Sequence, residues 1–593
     1  MPIHRILAVF ALCLIAYGAA TQSWDTIPLV DLSAFDQNPA NWSIVGTASG
    51  SIASTELDTD RGTGILYSRS RNSESIDLET QFTHGDLDME LEFMLPKDGE
   101  SGLFLQGRYE IQLSDSWQKH RPTYLDAGAV SPIRKMESQQ LTGGKPPRVN
   151  AAKAPGLWQH LSVSFRAARF DRYGQKLEDA RLLFVKLNGI IVHENVVLTG
   201  PTDQSHSNEV ARGPLRLQAE NGEVAFRNIC VQAYDLPPLQ WKSLQYQSGI
   251  MQGPGAYEMP PQIEERGTAD LIDSRLVSRN EKLVLRFDGE IEFPVSGLYK
   301  FDVEVWWNAR LTIDGQPTAT TPSSSNGSTE IELSAGTHRI VLEYYKWDSW
   351  YQGKLALYLT GPGIARQALH EESSLPVSAL PTPHFVDFGR ETQILRAFTH
   401  YTTDEESSTK LTHTVHVGLR EGIAFTYDPL QAIPVQVWRG RFLDATPMWA
   451  DRGDGSVSAR GAVTHLDTLP IWMSAEDIII RPKGYQLDDQ GIPTFITQID
   501  ELVLEDRMEA LPNYPGLNRQ LSWTGSSTVD VRWRLAAGQE IEKTDRGSYL
   551  IDGAYYIQLD ERSSGKAELI EADGRVHLVA SPEGENLEYQ IVW

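Results

Sequence analysis

Two groups of polar residues have the types and spacing that acid–base chemistry needs. Glu110, Gln112 and Asp115 follow one another at offsets of two and three residues, so Glu110 and Gln112 share one face of a predicted strand. Gln218 and Glu220 stand at the end of a second predicted strand. Carboxylates can move protons, and amides can bind hydroxyl groups. The same spacing is equally typical of solvated strand faces, so it leaves both interpretations open.

A long polar stretch separates the two groups. It runs over residues 126–153 and is too long for an ordinary loop of a β-sandwich, so we expect it to be either functional or disordered. Polar side chains on a concave sheet beneath such a loop would form a cleft suited to a sugar.

The elements that would position these residues are short β-strands. Hydrophobic and polar residues alternate at 88–93, 181–186, 300–305 and 413–417. Turn pairs such as Asn188 with Gly189, and Asp314 with Gly315, are typical of antiparallel hairpins. No long amphipathic helix is evident. The sequence therefore predicts an all-β, multi-domain chain built from antiparallel sandwiches.

The length of 593 residues exceeds what one hydrophobic core usually supports. Composition breaks indicate linkers near residues 236–239, which hold two prolines, and near 372–383, which are rich in Ser and Pro. We expect three modules, over residues 24–235, 240–366 and 380–593.

The N-terminus has the pattern of an export signal. His4 and Arg5 precede an apolar run over residues 6–17, and small residues follow it up to Ala20. We expect residues 1–20 to be removed near Ala20 and the chain to be secreted or periplasmic. The run is shorter than a transmembrane helix needs, and no later segment is long enough. Cys230 would then be the single Cys, without an internal disulfide, and we expect it to be a small buried residue.

The charge and motif content exclude several functional classes. A formal net charge of −26 without a Lys/Arg stripe opposes nucleic-acid binding. No Cys-x-x-Cys-His motif occurs, so no covalently attached haem is expected. No His/Cys constellation indicates a metal site, and we predict no cofactor, although a divalent metal stays open.

Four segments resemble, in order, successive motifs of the 3-keto-disaccharide hydrolase family: residues 86–93, 101–113, 150–158 and 217–229. The resemblance spans nearly the whole first module. It implies a concanavalin-like jelly roll and an enzyme that cleaves 3-keto-glycosides.

The resemblance also implies a mechanism. A carbonyl at C3 of the sugar acidifies the hydrogen on C2, so one base can remove it, the aglycone leaves from C1, and water then adds to the enone. Our candidate base is Glu110, with Glu220 or Asp115 as the acid toward the leaving group. The hydroxyl groups or the enolate would be bound by Arg108, Gln112 and Gln218.

Two positions differ from the family pattern. Where many members carry Asp-His-Gly after Leu-Gln, this chain has Ala219, Glu220 and Asn221, so any role of that His passes to Glu220 or is lost. Residues 127–130 also differ from the usual family segment after the central strands, which weakens one wall of the family's site.

The second module resembles the protective-antigen-type domain at residues 285–301, 309–315, 333–340 and 361–363. This resemblance implies a β-sandwich that often binds carbohydrate, in some members through calcium held by adjacent aspartates. Trp306 and Trp307 stand at those positions here, and indole rings cannot ligate calcium. Trp306 and Trp307 are candidate sugar-binding residues, because exposed aromatic rings can stack on pyranose rings. Packing of these rings against the sheet is the more common arrangement and stays open.

The third module resembles C-terminal β-regions of secreted multi-module bacterial proteins, most clearly at residues 435–449, and this resemblance implies no activity. Taken together, the sequence predicts a secreted carbohydrate-active enzyme with carbohydrate as its partner. The alternatives are a non-catalytic carbohydrate-binding or cell-surface protein, and an accessory subunit of an exported sugar dehydrogenase system.

Overall fold

The computed structural model describes residues 24–70, 76–134, 140–219, 222–321, 326–349, 353–376, 382–402, 408–450, 455–474, 478, 480–525, 531–544, 547–560, 567–581 and 584–593. The predicted signal peptide over residues 1–20 and the candidate acid Glu220 lie outside these residues. The described chain forms two compact units. One consists of Asp25–Gln232 together with the described residues of 381–593, and the other of the described residues of 233–380.

The first part of the larger unit is a sandwich of antiparallel strands. Its strands are β1 (Asp25–Thr26), β2 (Trp42–Ser49), β3 (Asp58–Ser70), β4 (Leu78–His84), β5 (Asp86–Met94), β6 (Glu100–Leu105), β7 (Tyr109–Ser114), β8 (Ile133–Arg134), β9 (Leu141–Thr142), β10 (Gln159–Arg166), β11 (Arg169–Phe170), β12 (Lys176–Glu178), β13 (Ala180–Leu187), β14 (Ile190–Leu198), β15 (Gly213–Leu217) and β16 (Gly222–Tyr234).

Two sheets of this sandwich matter for the site. An eight-stranded sheet has the order β14-β13-β10-β5-β16-β3-β2, with β1 paired to β16, and a four-stranded sheet has the order β4-β15-β6-β7. Along β6 and β7, alternate residues such as Leu103 and Ile111 are buried in the hydrophobic core. The residues between them therefore face the other side of the four-stranded sheet. As predicted, Cys230 is buried, on β16.

The second unit is also antiparallel. Its elements are β17 (Trp241–Ile250), β18 (Ile263–Thr268), β19 (Leu283–Phe293), β20 (Gly297–Val305), β21 (Asn308–Ile313), β22 (Gln316–Thr321), β23 (Asn326–Leu333), β24 (Gly336–Lys346), β25 (Leu355–Gly361), β26 (Ile364–Ala368) and a 3-10 turn at Glu372–Ser374. They form a six-stranded sheet, β18-β17-β19-β24-β21-β22, and a four-stranded sheet, β23-β20-β25-β26. One hydrophobic cluster, which includes Phe287, Phe301 and Leu357, fills the interior.

The C-terminal part of the larger unit contains β27 (Phe385–Val386), β28 (Gln393–Arg396), β29 (Thr399–Thr402), β30 (Ser408–Leu411), β31 (Val415–Gly418), β32 (Ile423–Asp428), β33 (Ile433–Asp444), the short helix α1 (Thr446–Trp449), β34 (Ser458–His465), β35 (Trp472–Met473), β36 (Ile480–Leu487), β37 (Pro493–Ile499), β38 (Leu502–Ala510), β39 (Leu517–Thr524), β40 (Arg532–Gly538), β41 (Ile541–Lys543), β42 (Tyr549–Ile551), β43 (Tyr555–Leu559), β44 (Ala567–Ala572), β45 (Arg575–Ala580) and β46 (Asn586–Val592).

These strands form an eight-stranded sheet, β36-β37-β38-β39-β46-β43-β42-β41, a six-stranded sheet around β33, and a four-stranded sheet, β35-β40-β45-β44. A buried ion pair lies in their common core, where the Arg519 guanidinium is 2.6 Å from the Asp506 carboxylate. The Tyr427 hydroxyl donates to the same carboxylate at 2.9 Å. The buried charges are thus paired and hydrogen-bonded, as burial requires.

The two parts of the larger unit share a small hydrophobic core. It contains Trp117 and Leu157 from the first part and Tyr556 from the C-terminal part. The Trp117 indole donates to the carbonyl of Trp593 at 2.8 Å, and the Tyr556 hydroxyl donates to the carbonyl of Gly50 at 3.1 Å. These contacts make the two parts one packed body, although the sequence analysis placed them in separate modules.

The abundance of strand and near absence of helix confirm the predicted all-β class. One strand differs from its prediction. The alternation over residues 413–417 becomes β31 only from Val415, and the hydroxyl of the preceding Thr414 donates to the Ala397 carbonyl at 2.5 Å. Among the described residues, none of the helices has the length and apolar character needed to cross a membrane.

Candidate functional site

The candidate site lies on the face of the four-stranded sheet that points away from the hydrophobic core. The strand register aligns polar side chains and one glycine in two neighbouring rows. One row contains Arg216, Phe104 and Glu110, and the next contains Gln218, Gly102 and Gln112. The backbone of Gln218 extends the second row, since its backbone N–H donates to the Gly102 carbonyl at 2.9 Å.

Gly102 forms the floor of this site. A Cβ at Gly102 would lie 2.7 Å from Oε1 of Glu110 and 2.7 Å from Oε1 of Gln218. Both polar groups therefore occupy the space above this residue, and only glycine leaves room for them.

Two loops are hydrogen-bonded to the free edge of strand β7 and fix this strand beside the site. The backbone N–H of Glu110 donates to the Thr202 hydroxyl at 3.0 Å, and the N–H of Ser131 donates to the Glu110 carbonyl at 3.2 Å. The Ser131 hydroxyl also donates to the Gln112 side chain at 3.3 Å. The four polar side chains of the two rows are nearly buried, with exposed fractions of 6% for Glu110, 8% for Gln112, 8% for Arg216 and 4% for Gln218.

Arg216 supplies the positive charge of the site. Its guanidinium lies 3.8 Å from the centre of the Phe104 ring and 3.5 Å from a carboxylate oxygen of Asp77. It also donates to the carbonyl of Gln204 at 2.7 Å. A planar guanidinium fixed by stacking is well suited to bind an oxygen that gains negative charge.

Gln218 presents an acceptor without a donor. Its amide N–H donates to the side-chain oxygen of Gln204 at 3.2 Å, while its own Oε1 is buried with no hydrogen-bond partner among the described residues. Buried acceptors in native proteins nearly always have a donor. A ligand hydroxyl group above Gly102 would supply one.

Gln204 closes the site at one end through its contacts with Arg216 and Gln218. Its φ of 58° lies in the left-handed region, which is unfavourable for a residue with a side chain. The loop therefore holds Gln204 in a costly conformation directly over the polar rows, a feature common at ligand sites.

Two acidic residues border the site on strand β4 and just before it. Burial raises the pKa of the Asp77 carboxyl, and a hydrogen bond from the Ala219 N–H and the charge of Arg216 oppose this rise. Glu79 lies 2.7 Å from the ring nitrogen of His206, which belongs to the same loop as Gln204. These groups add titratable side chains to the edge of the site.

The structure brings together Glu110, Gln112 and Gln218, three of the residues singled out from the sequence. Arg108 lies elsewhere, because its guanidinium donates to the backbone carbonyls of Gln106 and Asn208 and fixes the loop before β15.

Asp115 also lies away from this group. Its carboxylate accepts hydrogen bonds from the N–H of Asp98 at 3.0 Å and the N–H of Trp117 at 3.3 Å. Burial raises the pKa of its carboxyl, and these two hydrogen bonds oppose that rise. Asp115 directly follows β7, and its two hydrogen bonds hold the turns at Asp98 and Trp117 together.

Trp306 and Trp307 belong to the second unit, and each is partly buried. Trp307 packs against the hydrophobic cluster of that unit with a φ of 84°. The backbone of Trp306 is fixed on both sides, since its N–H donates to Lys354 and its carbonyl accepts from the Tyr344 hydroxyl. Within the described residues, no group of three or more His, Cys, Asp or Glu side chains could hold a metal ion.

Sequence reasoning missed Arg216, Asp77 and Gln204. Arg216 could have been found, because it precedes Gln218, the residue just after β15, by two positions and so shares its face. Asp77 and Gln204 reach the site through strand pairing and a loop fold that local spacing does not reveal.

Comparison with known proteins identifies two domains. Residues 27–232 match the family model of the 3-keto-alpha-glucoside-1,2-lyase-like domain, and residues 277–373 match that of the PA14 domain, which is the protective-antigen-type fold. Both resemblances predicted from the sequence are confirmed. None of the curated proteins matches the chain.

Two similar solved structures are candidate glycosyl hydrolases of Parabacteroides distasonis ATCC 8503. One is 21% identical with a TM-score of 0.25, and the match covers 39% of this chain and 100% of that chain. The other is 18% identical with a TM-score of 0.24, and the match covers 36% of this chain and 99% of that chain. The domain matches identify the chain as a carbohydrate-active protein, with a 3-keto-alpha-glucoside-1,2-lyase-like domain followed by a PA14 domain.

Proposed function

We propose that the first domain cleaves 3-keto-glycosides, with Glu110 as the general base. The observation that carries this proposal is the convergence of Glu110 and Gln218 above Gly102, beside the Arg216 guanidinium. It combines a carboxylate, a buried acceptor that lacks a donor, and a cation on one face of the sheet. The family match of residues 27–232 supports the choice of a keto sugar.

The proposed reaction is an elimination followed by hydration. Glu110 takes the proton from C2 of the sugar, and the electrons of that bond move to give an enolate on the C3 carbonyl. The C1–O bond then breaks, and the aglycone leaves with a proton. Water adds to the resulting enone at C1, which completes hydrolysis.

The remaining side chains have defined roles in this proposal. Arg216 stabilises the enolate oxygen, because a fixed cation in a buried site is worth more than the same charge in water. Gln112 and Gln218 bind sugar hydroxyl groups. The proton for the leaving aglycone comes from Glu220 or from the protonated Glu110. Asp115 becomes the weaker candidate acid, because backbone N–H groups already occupy its carboxylate.

Incubation of the purified protein with 3-keto-lactose or 3-keto-trehalose tests this proposal. We expect release of free glucose from the keto sugars and none from lactose or trehalose, because only the C3 carbonyl acidifies the C2 hydrogen. Absence of release, with retained binding of the keto sugar, would instead support a non-catalytic carbohydrate-binding protein.

We further propose that the chain is exported and begins near Thr21 once the signal peptide is removed. N-terminal sequencing of the protein recovered outside the cytoplasm should start close to Thr21. An intact Met1 on protein from the cytosol would contradict export.

The PA14 domain is proposed to bind sugar without calcium, because Trp306 and Trp307 stand where the family's calcium-binding members carry aspartates. Glycan binding by the full chain should be unchanged by a chelator. Loss on chelation, restored by calcium, would contradict this proposal.

A further inference from the structure

A cavity lies between the jelly roll and the C-terminal part of the larger unit. Its volume is about 740 Å³, which is within the range of ligand sites in proteins. Loop residues 118–120 and 148–150 line it on one side, and residues 439–441 and 509–515 line it on the other. None of the residues that form the site above Gly102 takes part. We call this cavity the interdomain cleft.

The interdomain cleft is basic although the protein is acidic. The whole chain has a formal net charge of −26. The walls of the cleft nevertheless carry more cations than carboxylates: Lys119, Arg148, Arg420, Arg439, Arg441 and Arg507 against Glu421, Asp488 and Glu509. This local excess is opposite in sign to the rest of the molecule and favours an anionic ligand.

Each of the three carboxylates of the cleft forms an ion pair with an arginine of the cleft. Arg507 lies 2.5 Å from Asp488 and 2.6 Å from Glu509, and Arg420 lies 2.7 Å from Glu421. Two more cations pair with acids outside the lining, since Lys119 lies 2.6 Å from Asp126 and Arg148 lies 3.0 Å from Glu194. Among the described residues, Arg439 and Arg441 form no ion pair with a carboxylate.

Arg439 is held by backbone carbonyls and has lost much of its contact with water. Its guanidinium donates to the backbone carbonyls of Trp117 and Ala152, which belong to the jelly roll. Burial lowers its pKa to about 10, and the charge of Asp115 opposes that change. Arg439 is partly exposed and has no carboxylate within ion-pair distance among the described residues, so an anion in the cleft would be attracted to it. Arg441 follows two residues later on β33 and is exposed.

We propose that the interdomain cleft binds an anionic saccharide, with its carboxylate or sulfate groups held by Arg439 and Arg441. Guanidinium groups recognise such oxyanions through paired N–H donors. Exposed amide and imidazole groups on the same walls, from Gln118, His120 and Asn513, suit sugar hydroxyl groups. The charge of the ligand follows from the cleft itself, whereas its saccharide nature rests on the carbohydrate-active first domain.

Calorimetric titration of the full-length protein tests this inference. The probes are a galacturonic acid tetramer, a sulfated oligosaccharide of the same length and a neutral glucose tetramer. We expect one or both charged probes to bind at least about tenfold more tightly than the neutral one, with an affinity that falls as salt is added. The charged probe that binds more tightly shows whether the cleft prefers a carboxylate or a sulfate group. Equal affinity for the neutral probe, or no binding of either charged probe, would overturn the inference.

Substitutions then locate the binding. Arg441→Glu, at an exposed position, should weaken binding of the charged probe by about tenfold or more. The matched control Arg61→Glu, at an exposed position on β3 outside the cleft, should leave the affinity unchanged. Unchanged affinity in Arg441→Glu would overturn the inference. Glu110→Gln should bind the probe as the wild type does, whether or not the proposed reaction occurs. A changed affinity in that variant, tighter because a negative charge is removed or weaker because a contact is lost, would place the probe above Gly102 and would overturn the inference too.

Discussion

The side chains of Glu110 and Gln218 approach the same point of the four-stranded sheet from opposite sides. Glu110 belongs to β7, Gln218 follows β15, and β6 with Gly102 runs between these strands. Each side chain places Oε1 2.7 Å from where a Cβ of Gly102 would be. The catalytic proposal depends on this shared space.

Gly102→Ala should therefore disturb both groups at once. The added methyl group would displace Glu110 and Gln218, so we expect kcat/KM on the keto sugar to fall by about tenfold to a hundredfold, since small misplacements of reacting groups are costly. Steady-state kinetics measure this. The control Gly253→Ala, where an added Cβ meets nothing within 4 Å, should be as active as the wild type. Full activity in Gly102→Ala would show that the reaction takes place elsewhere.

Arg216→Lys tests the proposed enolate contact. Lysine keeps the charge but loses the planar group that stacks on Phe104 and reaches Gln204, so kcat should fall by about tenfold or more while the far-UV circular dichroism spectrum stays unchanged. Arg212→Lys, an exposed position shortly before β15, is the matched control. Equal activity of both variants would remove Arg216 from the mechanism.

Tyr556→Phe tests the packing between the jelly roll and the C-terminal part. The variant loses hydrogen bonds to the carbonyls of Gly50 and Pro155, so the free energy of unfolding should fall by about 1 to 3 kcal/mol. Urea denaturation, monitored by tryptophan fluorescence, measures this change in free energy. Tyr173→Phe, at an exposed position, should have no such effect. A wild-type unfolding midpoint for Tyr556→Phe would contradict the shared core.

His416 predicts a pH dependence of stability. Burial lowers its pKa from 6.5 to about 4 in the folded protein, and a hydrogen bond with the Ala397 backbone opposes this change. The unfolded chain therefore takes up a proton first, and stability is lost as the pH falls from about 6.5 toward 4. The slope from this group is at most about 1.4 kcal/mol per pH unit.

The variant His416→Leu isolates this effect. The difference in unfolding free energy between the wild type and His416→Leu should shrink as the pH is lowered from about 7 to 5, because only the wild type carries this titration. Urea denaturation at several pH values measures it. A difference that is constant with pH would mean that the pKa of His416 is close to its ordinary value.

Local spacing predicted the all-β class and the shared strand face of Glu110 and Gln112. Glu110 and Gln112 share a face because strand side chains alternate, and this holds whatever the partner strands are. Gln218 was singled out because it stands at the end of another predicted strand, and the family resemblance added the order of the motifs that contain both groups. Arg108 has the parity of Glu110 but lies in the turn that starts with Gln106, so its side chain leaves the sheet face for backbone carbonyls.

The larger arrangement depends on contacts between distant residues. Trp117 and Trp593 are joined by a hydrogen bond across almost the whole chain, and no local pattern indicates such a pair. The same holds for Arg439, which lies on β33 but donates to carbonyls of the jelly roll. The sequence could not predict the interdomain cleft, because its walls come from residues that are far apart in the chain.

The most direct test of the central claim is the turnover of 3-keto-lactose by Glu110→Gln. Glutamine keeps the shape of the side chain and much of its hydrogen bonding but cannot accept the C2 proton. We predict that kcat falls by about two to four orders of magnitude, the usual contribution of a positioned general base, while binding of the keto sugar is largely retained. Wild-type turnover in Glu110→Gln would contradict the role of Glu110 as the base.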